Sequence, residues 1–292
     1  LELDAVSVVE YTHFDAVRQF NNADWLPQTM QSRCIREKSG LLTLIQYAFM
    51  RRETNVNFFT SSHPISSFES DRKRFLGNNE YGTWSNPLSL QMEELASYEA
   101  HRGDNIGALL HHLGSFKPGE TKGFITQLGQ EQNFEKGRYG IEKYRSPEAV
   151  KKAFTEMNGF WDEFLTRMQV ETPDPNMNRM LNIHNPRQCF IAKNWSRYLS
   201  YYQLGIGTRG IGFRDSSQDV MGVIDRIPEE SKKLLRQLMV VQRKNGSAMH
   251  SFNPLTMEGS KGETEELPDR PKYYGDDHLW IVLAVTAYLK ET

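Results

Sequence analysis

Residues 146–168 read SPEAVKKAFTEMNGFWDEFLTRM, and this stretch divides the chain. Ser146 in the cap position, Pro147 in the first helical position and Glu148 in the first turn are a typical helix start. Apolar residues then recur with the helical period, at Val150, Ala153, Phe154, Met157, Phe160, Trp161, Phe164, Leu165 and Met168. The pattern predicts one long helix that ends before Pro173 and is long enough to connect two domains.

Upstream of this helix, to about Gln132, short runs of β-forming residues alternate with turn residues. The clearest runs are Val6–Tyr11, Asn55–Thr60 and Gly123–Leu128. Short strands separated by regular turn signals predict a β-sandwich. Gly40–Met50 is apolar enough to be a buried strand or a short helix, and periodicity alone does not decide between them.

Downstream of the long helix the signals stay helical. Asn185-Pro186 and Pro228 each begin a segment with helical apolar spacing, and Asn245-Gly246 ends the second one. That second helix is predicted to place four apolar residues inward and three cations outward: Leu234, Leu235, Leu238 and Met239 against Lys232, Lys233 and Arg236. Asp276-Asp277 is predicted to cap a last helix, Leu279–Leu289, which is apolar nearly all round and so requires burial on most sides.

Charge and cysteine content narrow the class of protein. The chain carries 35 Lys plus Arg and 37 Asp plus Glu, a net charge of −2, so neither nucleic acid nor an anionic membrane is an expected partner. Cys34 and Cys189 are too few and too far apart for a disulfide framework. No signal peptide opens the sequence, and Leu279–Leu289 is far shorter than the roughly 20 residues of a membrane span. A soluble, cytoplasmic protein is expected.

The segment richest in chemistry runs from Trp195 to Asp219. It combines three arginines, two aspartates, Gln218 and several aromatic residues around a glycine-rich turn. Sugar sites use this mixture, because Asp and Arg make directional hydrogen bonds to hydroxyl groups and aromatic faces cover the apolar side of the ring. The alternative is an ordinary Asp–Arg pairing at a helix start, with Asp215 or Ser216 as cap. Chemistry alone leaves both interpretations open.

Other motifs are weaker. Gly205–Gly210 matches the dinucleotide fingerprint literally, but residues 211–215 read as a further loop, and no alternation of strands and helices follows. Arg102-Gly103-Asp104 is best explained as a turn. His111-His112 is a poor metal site, because adjacent residues face apart on a strand. Asp276-Asp277-His278 is better explained by helix capping than by a metal.

Taken together, these motifs are similar to those of a known family. Gly210–Asp219, GIGFRDSSQD, resembles a signature of the phosphorylases that cleave cellobiose, longer cellodextrins and related β-glucosides. Further segments recur in that family in the same order: EYTHFD at 10–15, RGDNIG at 102–107, WSR at 195–197, GSAMH at 246–250 and DDHLW at 276–280. The chain therefore resembles the inverting cellobiose and cellodextrin phosphorylases (glycoside hydrolase family 94), and its first half most resembles cellodextrin phosphorylases.

The resemblance implies a fold. Family members have an amino-terminal β-sandwich, a helical linker, an (α/α)6 barrel and a small carboxy-terminal β-domain, and they work as homodimers. Residues 1–132 are then expected to form part of the sandwich, 133–173 the linker with its long helix, and 174–292 the first part of the barrel. On this interpretation the chain is an internal fragment, and both of its ends are cuts.

The resemblance also implies a reaction, the reversible and inverting phosphorolysis of β-glucosides. Inorganic phosphate cleaves the bond at the non-reducing end and yields α-glucose 1-phosphate and a shortened sugar. Because phosphate is already an anionic nucleophile, one carboxylic acid suffices, and arginine or histidine holds the phosphate. No metal and no organic cofactor is implied.

Individual residues are carried over by matching motifs. Arg209 and Asp215 match positions that bind the glucosyl unit, Arg214 and Gln218 are expected to orient them, and Arg197 matches more weakly an arginine near the phosphate. The family's general acid lies in a downstream Trp-Asn-Asp segment that residues 1–292 do not contain. No catalytic residue is therefore assigned, the three remaining candidates Asp219, Asp276 and Asp277 belong to other motifs, and the chain alone is expected to be inactive.

Two further alternatives stay open. Cellobiose, cellodextrins, laminaribiose and β-1,2-glucans are all possible acceptors. The chain also fits a non-catalytic carbohydrate-binding or truncated fragment. A reading frame that continues past Thr292 into a Trp-Asn-Asp segment favours the enzyme, and a stop codon there favours the fragment.

Overall fold

The computed structural model describes residues 1–11, 30–48, 56–197, 210–259 and 275–292. The chain divides into two compact units, the sandwich unit at residues 1–155 and the helical unit at residues 156–292. The strands of the described residues are β1 Glu2–Glu10, β2 Met30–Arg36, β3 Leu42–Ala48, β4 Val56–Ser61, β5 Ser67–Asp71, β6 Asn105–Ser115, β7 Thr126–Glu131, β8 Ile211–Gly212 and β9 Ser251–Phe252.

The α-helices are α1 Arg72–Leu76, α2 Phe134–Lys143, α3 Pro147–Thr166, α4 Pro175–Arg179, α5 Asn185–Ile191, α6 Phe213–Met221, α7 Pro228–Val240 and α8 Asp277–Glu291. Two π-helical turns, Met180–His184 and Ala192–Ser196, follow α4 and α5.

The sandwich unit consists of two antiparallel sheets, with strand orders β1-β6-β5 and β2-β3-β4-β7. Their inner faces meet where Leu44 and Phe59 of the four-stranded sheet join Phe68 and Leu109 of the three-stranded sheet in one buried cluster. Alternate residues of a strand point to opposite faces, and sheets packed face to face in this way form a sandwich core. The predicted β-sandwich is confirmed.

Both sheets are also covered on their outer faces. Ile106 and Leu110 of β6 pack with Phe75 of α1, and Phe58 of β4 packs with Ile141 of α2. The central strands are therefore buried on both faces, and β4 is buried at every residue, including its polar residues Asn57, Thr60 and Ser61. The same burial explains the ambiguous stretch at residues 40–50, where Leu42–Ala48 is strand β3, paired with β2 and β4.

The strand predicted at Gly123–Leu128 begins later than expected, since β7 starts at Thr126 and runs to Glu131 along β4. The backbone N–H of Ile125 donates to Ser62 Oγ, a bond outside the strand ladder. The adjacent histidines face apart as predicted, because His111 is fully buried and His112 is half exposed.

The long helix is α3, and its start is the predicted one. Ser146 Oγ accepts from the backbone N–H of Ala149, so the capping prediction is confirmed. Its apolar stripe is only partly buried. Phe164 is buried and Trp161 and Leu165 are half-buried, whereas Phe154, Met157, Phe160 and Met168 are exposed.

The helix predicted to begin at Asn185-Pro186 is α5, and it continues a helical run that begins at Pro175. Asp174 caps α4 by accepting from the N–H of Asn176, and the chain stays helical from Pro175 to Ser196. Pro186 lacks an N–H and follows a π-helical turn, where the regular α-helical ladder is already interrupted. The later part of that predicted segment, with Tyr198, Leu199 and Tyr202, lies outside the described residues.

Helices α6, α7 and α8 share one core in the helical unit. Its members are Ile211, Phe213, Val220, Leu234, Leu235, Leu238, Val241, Ala248, Phe252, Ile281 and Ala284. Two predictions are corrected here: Met239 is 43% exposed rather than inward, and α7 ends at Val240, before Asn245. On α8 the buried stripe is Ile281 and Ala284, while Leu279, Val282, Leu283 and Leu289 are exposed in this part of the chain. None of the helices described is long and apolar enough to cross a membrane.

Candidate functional site

The predicted sugar motif lies at the junction of β8 and α6. Ile211 and Gly212 pair with Phe252 and Ser251 of β9, and α6 begins at Phe213. The prediction of a loop at residues 211–215 is therefore wrong. Burial of Ile211 and Phe213 in the helical core explains the difference, because these two side chains anchor the segment on both sides of Gly212.

Gly210 is required at the entry to this junction. Its φ is +76°, a conformation that residues with a side chain rarely adopt. A Cβ at this position would also lie 2.5 Å from the carbonyl oxygen of Phe252. Two independent constraints, one torsional and one steric, therefore select glycine here.

Helix α6 has no side-chain cap. Gly212 occupies the N-cap position, so neither Asp215 nor Ser216 is the cap that the alternative interpretation required. Asp215 lies in the first turn, and its Oδ2 occupies the space that a Cβ on Gly212 would take. A carboxylate in the first turn is favoured by the helix dipole.

Arg197 brings two carboxylates together. Its Nε donates to Asp219 Oδ2 at 2.6 Å and its Nη2 donates to Asp219 Oδ1 at 3.4 Å. The same Nη2 lies 3.9 Å from Asp215 Oδ1. Hydrogen bonding to Asp219 and its negative charge raise the pKa of the Arg197 guanidinium further. The arginine therefore stays charged between the two aspartates.

Arg214, which precedes Asp215, points to α8. Its Nη1 donates to Asp276 Oδ2 at 2.9 Å, and Trp280 Nε1 donates to the same oxygen at 3.3 Å. These two bonds, that of Arg214 first, hold the pKa of Asp276 below its ordinary value. Asp276 occupies the N-cap position of α8 without a capping side-chain bond, so the capping explanation of this residue is wrong.

The neighbouring acid, Asp277, contacts a different element. Its Oδ2 lies 3.1 Å from His250 Nδ1, and its side chain is completely buried. Burial raises the pKa of Asp277, although its bond to His250 opposes that shift. The backbone oxygen of His250 accepts from the N–H of Phe213 at 3.0 Å, which ties this segment to the first residue of α6.

The predicted site residues do not all lie together. The structure brings Arg197, Asp215 and Asp219 together, while Arg214 turns toward Asp276 and Gln218 is exposed on α6. Arg209 lies outside the described residues. Within the described ranges, no group of three or more His, Cys, Asp and Glu side chains is placed to hold a metal ion.

Sequence reasoning missed the contacts of Asp276, Asp277 and His250. Arg214 and Asp276 are 62 positions apart, and His250 and Asp277 are 27 apart, so no local spacing reveals these pairs. The usable signal was the Asp-Asp doublet itself, since a helix start needs one acid at its cap. The cluster as a whole offers ionised acceptors and fixed guanidinium donors, the groups that bind sugar hydroxyls and phosphate oxygens.

Comparison with known proteins covers both units. Residues 1–147 match the family model for the glycosyl hydrolase 94 supersandwich domain, and residues 160–292 match that for the glycosyl hydrolase 94 superfamily catalytic domain. The chain is 30% identical to N,N'-diacetylchitobiose phosphorylase of Vibrio furnissii over 251 residues, covering 80% of this chain and 30% of the relative.

Two further relatives differ in their named activities. The chain is 26% identical to solabiose phosphorylase of Paenibacillus borealis, covering 80% of this chain and 27% of the relative. It is 25% identical to cyclic β-(1,2)-glucan synthase NdvB of Rhizobium meliloti (strain 1021), covering 80% of this chain and 8% of the relative. The chain thus spans 30% or less of the length of these curated relatives.

Proposed function

The chain belongs to the glycosyl hydrolase 94 superfamily, and we propose that its protein catalyses the reversible, inverting phosphorolysis of β-glycosides. In this reaction phosphate releases α-glucose 1-phosphate from the non-reducing end of a β-glucoside. The observation that carries the proposal is the Arg197–Asp215–Asp219 cluster, which lies within the residues matched to the catalytic domain. Asp215 and Arg209 are assigned to the glucosyl unit, and Arg197 to the phosphate side.

The proposed substrates are cellodextrins. The first half of the sequence supports this choice through its resemblance to cellodextrin phosphorylases. Relatives named for chitobiose and solabiose support phosphorolysis of β-linked sugars more generally. The experiment therefore compares different donor sugars as well as different acceptors.

The proposal places the general acid on a carboxyl group outside residues 1–292. Asp276 is held below its ordinary pKa by Arg214, so it is a poor proton donor near neutral pH. Asp277 has a raised pKa, but its side chain is completely buried and its Oδ2 is 3.1 Å from His250 Nδ1. An acid must come within hydrogen-bond reach of the leaving oxygen, which a fully buried carboxyl group does not.

The proposal includes a cytoplasmic location. Cys34 and Cys189 are both free thiols, which is usual in a reducing compartment. Expression with a fluorescent tag in the source cell tests this part separately.

The decisive experiment measures phosphate release in the synthetic direction. α-Glucose 1-phosphate and N-acetyl-α-glucosamine 1-phosphate are offered as donors with cellobiose, cellotriose, laminaribiose and N-acetylglucosamine as acceptors. The 292-residue chain is compared with a version that continues past Thr292. We expect turnover only in the longer version, with glucose 1-phosphate and cellodextrin acceptors, and loss of that turnover in Asp215→Ala.

Sugar binding to the 292-residue chain is measured as well. Calorimetric titration with cellobiose and with α-glucose 1-phosphate reports the sugar site without requiring chemistry. Turnover by the short chain would show that the general acid has been placed wrongly. Sugar binding with no turnover in either version would support a carbohydrate-binding protein instead of an enzyme.

A further inference from the structure

Two adjacent acids at the start of α8 contact two different elements that lead into the sugar motif. We propose that Asp276 and Asp277 form a positioning pair that holds the first turn of α6, and with it the carboxylate of Asp215, in place for sugar binding. The inference rests on the proposed sugar site, and neither acid is assigned to the chemical step.

Asp276 acts through Arg214. Its Oδ2 accepts from Arg214 Nη1 at 2.9 Å and from Trp280 Nε1 at 3.3 Å, so the indole fixes the carboxylate that receives the guanidinium. Arg214 directly precedes Asp215 in the first turn of α6. Both partners of the ion pair are partly exposed, at 39% and 49%, and exposed pairs contribute little to stability. Its main consequence is therefore the direction of the Arg214 side chain.

Asp277 acts through His250. Its Oδ2 lies 3.1 Å from His250 Nδ1, and the carbonyl oxygen of the same histidine accepts from the N–H of Phe213 at 3.0 Å. The β8–β9 pairing continues this contact at Gly212 and Ser251. The two acids thus hold the first two residues of α6, Asp276 through the Arg214 side chain and Asp277 through His250 and the N–H of Phe213.

Burial of Asp277 argues for positioning over general stability. The side chain is completely buried, and no donor in the described part of the chain reaches its Oδ1. A buried carboxylate with an oxygen that lacks a donor reduces stability, and an apolar residue of similar size often fits such a position better. Burial also raises the pKa of Asp277. The contact between Asp277 and His250 therefore positions His250 and does not serve general stability.

Asp276→Asn and Asp277→Asn keep the shape of each side chain and remove its charge. We expect both variants to lower the affinity of the 292-residue chain for cellobiose by about 10-fold or more, the size of effect that loss of an orienting partner has at metal sites. We also expect faster hydrogen exchange of the amides between residues 213 and 219, with unchanged exchange in α7. Glu163→Gln removes the Glu163–Arg167 ion pair elsewhere in the helical unit and is the matched control, expected to change neither readout.

A double-mutant cycle tests the route through Arg214. If Asp276 acts through Arg214, adding Asp276→Asn to Arg214→Ala causes no further loss of affinity. Fully additive losses in the cycle, or affinities within twofold of the original chain in both single variants, would overturn the inference. Unchanged exchange between residues 213 and 219 in both variants would overturn it as well.

The two proposals fail in different ways. Absence of sugar binding in the original chain, together with faster exchange in the variants, would reject the proposed function and retain the positioning of α6. Because Asp276 is half exposed, Asp276→Asn tests the inference even if Asp277→Asn does not fold.

Discussion

The carboxylate of Asp215 occupies the space that a side chain on Gly212 would need. Oδ2 of Asp215 lies too close to the Cβ position of residue 212 for any other residue to fit there without a shift. The glycine therefore has a steric role three residues before the acid, at the N-cap of the same helix. The position of the proposed sugar-binding carboxylate depends on the absence of a side chain at residue 212.

Gly212→Ala is predicted to separate sugar binding from folding. The added methyl group displaces the Asp215 carboxylate, so the affinity for cellobiose should fall, though by no more than in Asp215→Ala. Because the crowded atom is the end of a side chain that can rotate, the cost in stability should stay below about 1 kcal/mol. Calorimetric titration measures the affinity and urea unfolding measures the stability. Gly159→Ala on α3 is the matched control, because its Cβ meets no atom within 4 Å, and it should preserve affinity and raise stability slightly. Unchanged affinity in Gly212→Ala would contradict the assignment of Asp215.

Arg197→Lys is predicted to weaken both the helical unit and the sugar site. The planar guanidinium reaches Asp219 through two nitrogens and lies 3.9 Å from Asp215, whereas a lysine ammonium is a single point charge. The side chains of Arg197 and Asp219 are 24% and 11% exposed, so the pair is largely removed from water. We expect a loss of about 1–3 kcal/mol in urea unfolding.

The control for this substitution is Arg167→Lys. Arg167 pairs with Glu163 on the surface, and its substitution should change stability by no more than about 0.5 kcal/mol. Equal effects of the two substitutions would show that the Arg197 contacts add nothing specific.

Arg226 completes the end of α3 and is predicted to be the most sensitive arginine of this unit for folding. It is 5% exposed and donates to the carbonyl oxygens of Phe164 at 2.8 Å, Leu165 at 3.1 Å and Met168 at 3.3 Å. The last carbonyl groups of a helix have no partner within the helix. Arg226→Met leaves them without these donors and should cost about 3 kcal/mol or more in urea unfolding.

Arg226→Lys distinguishes charge from geometry. A lysine retains the positive charge near the helix end but replaces the branched guanidinium with one ammonium group. We expect an intermediate loss of stability. A loss as small as that of the Arg167→Lys control would contradict the capping role.

Local sequence patterns predicted the helices whose starts are fixed by neighbouring residues. The start of α3 followed from Ser146 and Pro147, and α7 followed from Pro228 and the spacing of its leucines. The start of α5 at Asn185 was predicted, but the helical run from Pro175 that precedes it was not, because Pro186 resembles the start of an isolated helix. A proline that follows a π-helical turn has the same local sequence as a proline at a first turn.

The residue types of the candidate site were predictable from the sequence, but the contacts between distant residues were not. The composition of residues 195–219 was compatible with a sugar site or with an ordinary Asp–Arg pairing, and Arg197, Asp215 and Asp219 do lie together. The contact between Arg214 and Asp276 depends on how α8 packs on α6, which no spacing within either helix encodes. Long-range pairs of this kind follow from tertiary packing, and one sequence read alone contains no signal for them.

In the sandwich unit, His112 links Asp4 of β1 to Glu94 of a loop. Nδ1 of His112 lies 2.8 Å from Asp4 Oδ1, and Nε2 lies 3.0 Å from Glu94 Oε1. A neutral imidazole donates through one nitrogen, and only the protonated ring donates to both carboxylates. These two contacts, that of Glu94 first, raise the pKa of His112 above its ordinary 6.5. The pKa of Glu94 is lowered from 4.5 by hydrogen bonds from Ser67 and then His112.

The sign of the pH dependence follows from linkage. A histidine with a raised pKa in the folded state stabilises fully below pH 6.5, and this stabilisation is lost as the pH rises through the folded-state pKa. The contribution of Glu94 is present above pH 4.5 and is lost as the pH falls through its lowered pKa. Burial lowers the pKa of His111, which gives a slope of the opposite sign in the same pH range in both proteins. The stability of the original chain relative to that of His112→Gln, measured by urea unfolding, should therefore decline from pH 6 to pH 8. Asp4→Asn should flatten it in part, because one of the two acceptors remains charged. The same pH dependence in His112→Gln as in the original chain would mean that another group controls stability in this range.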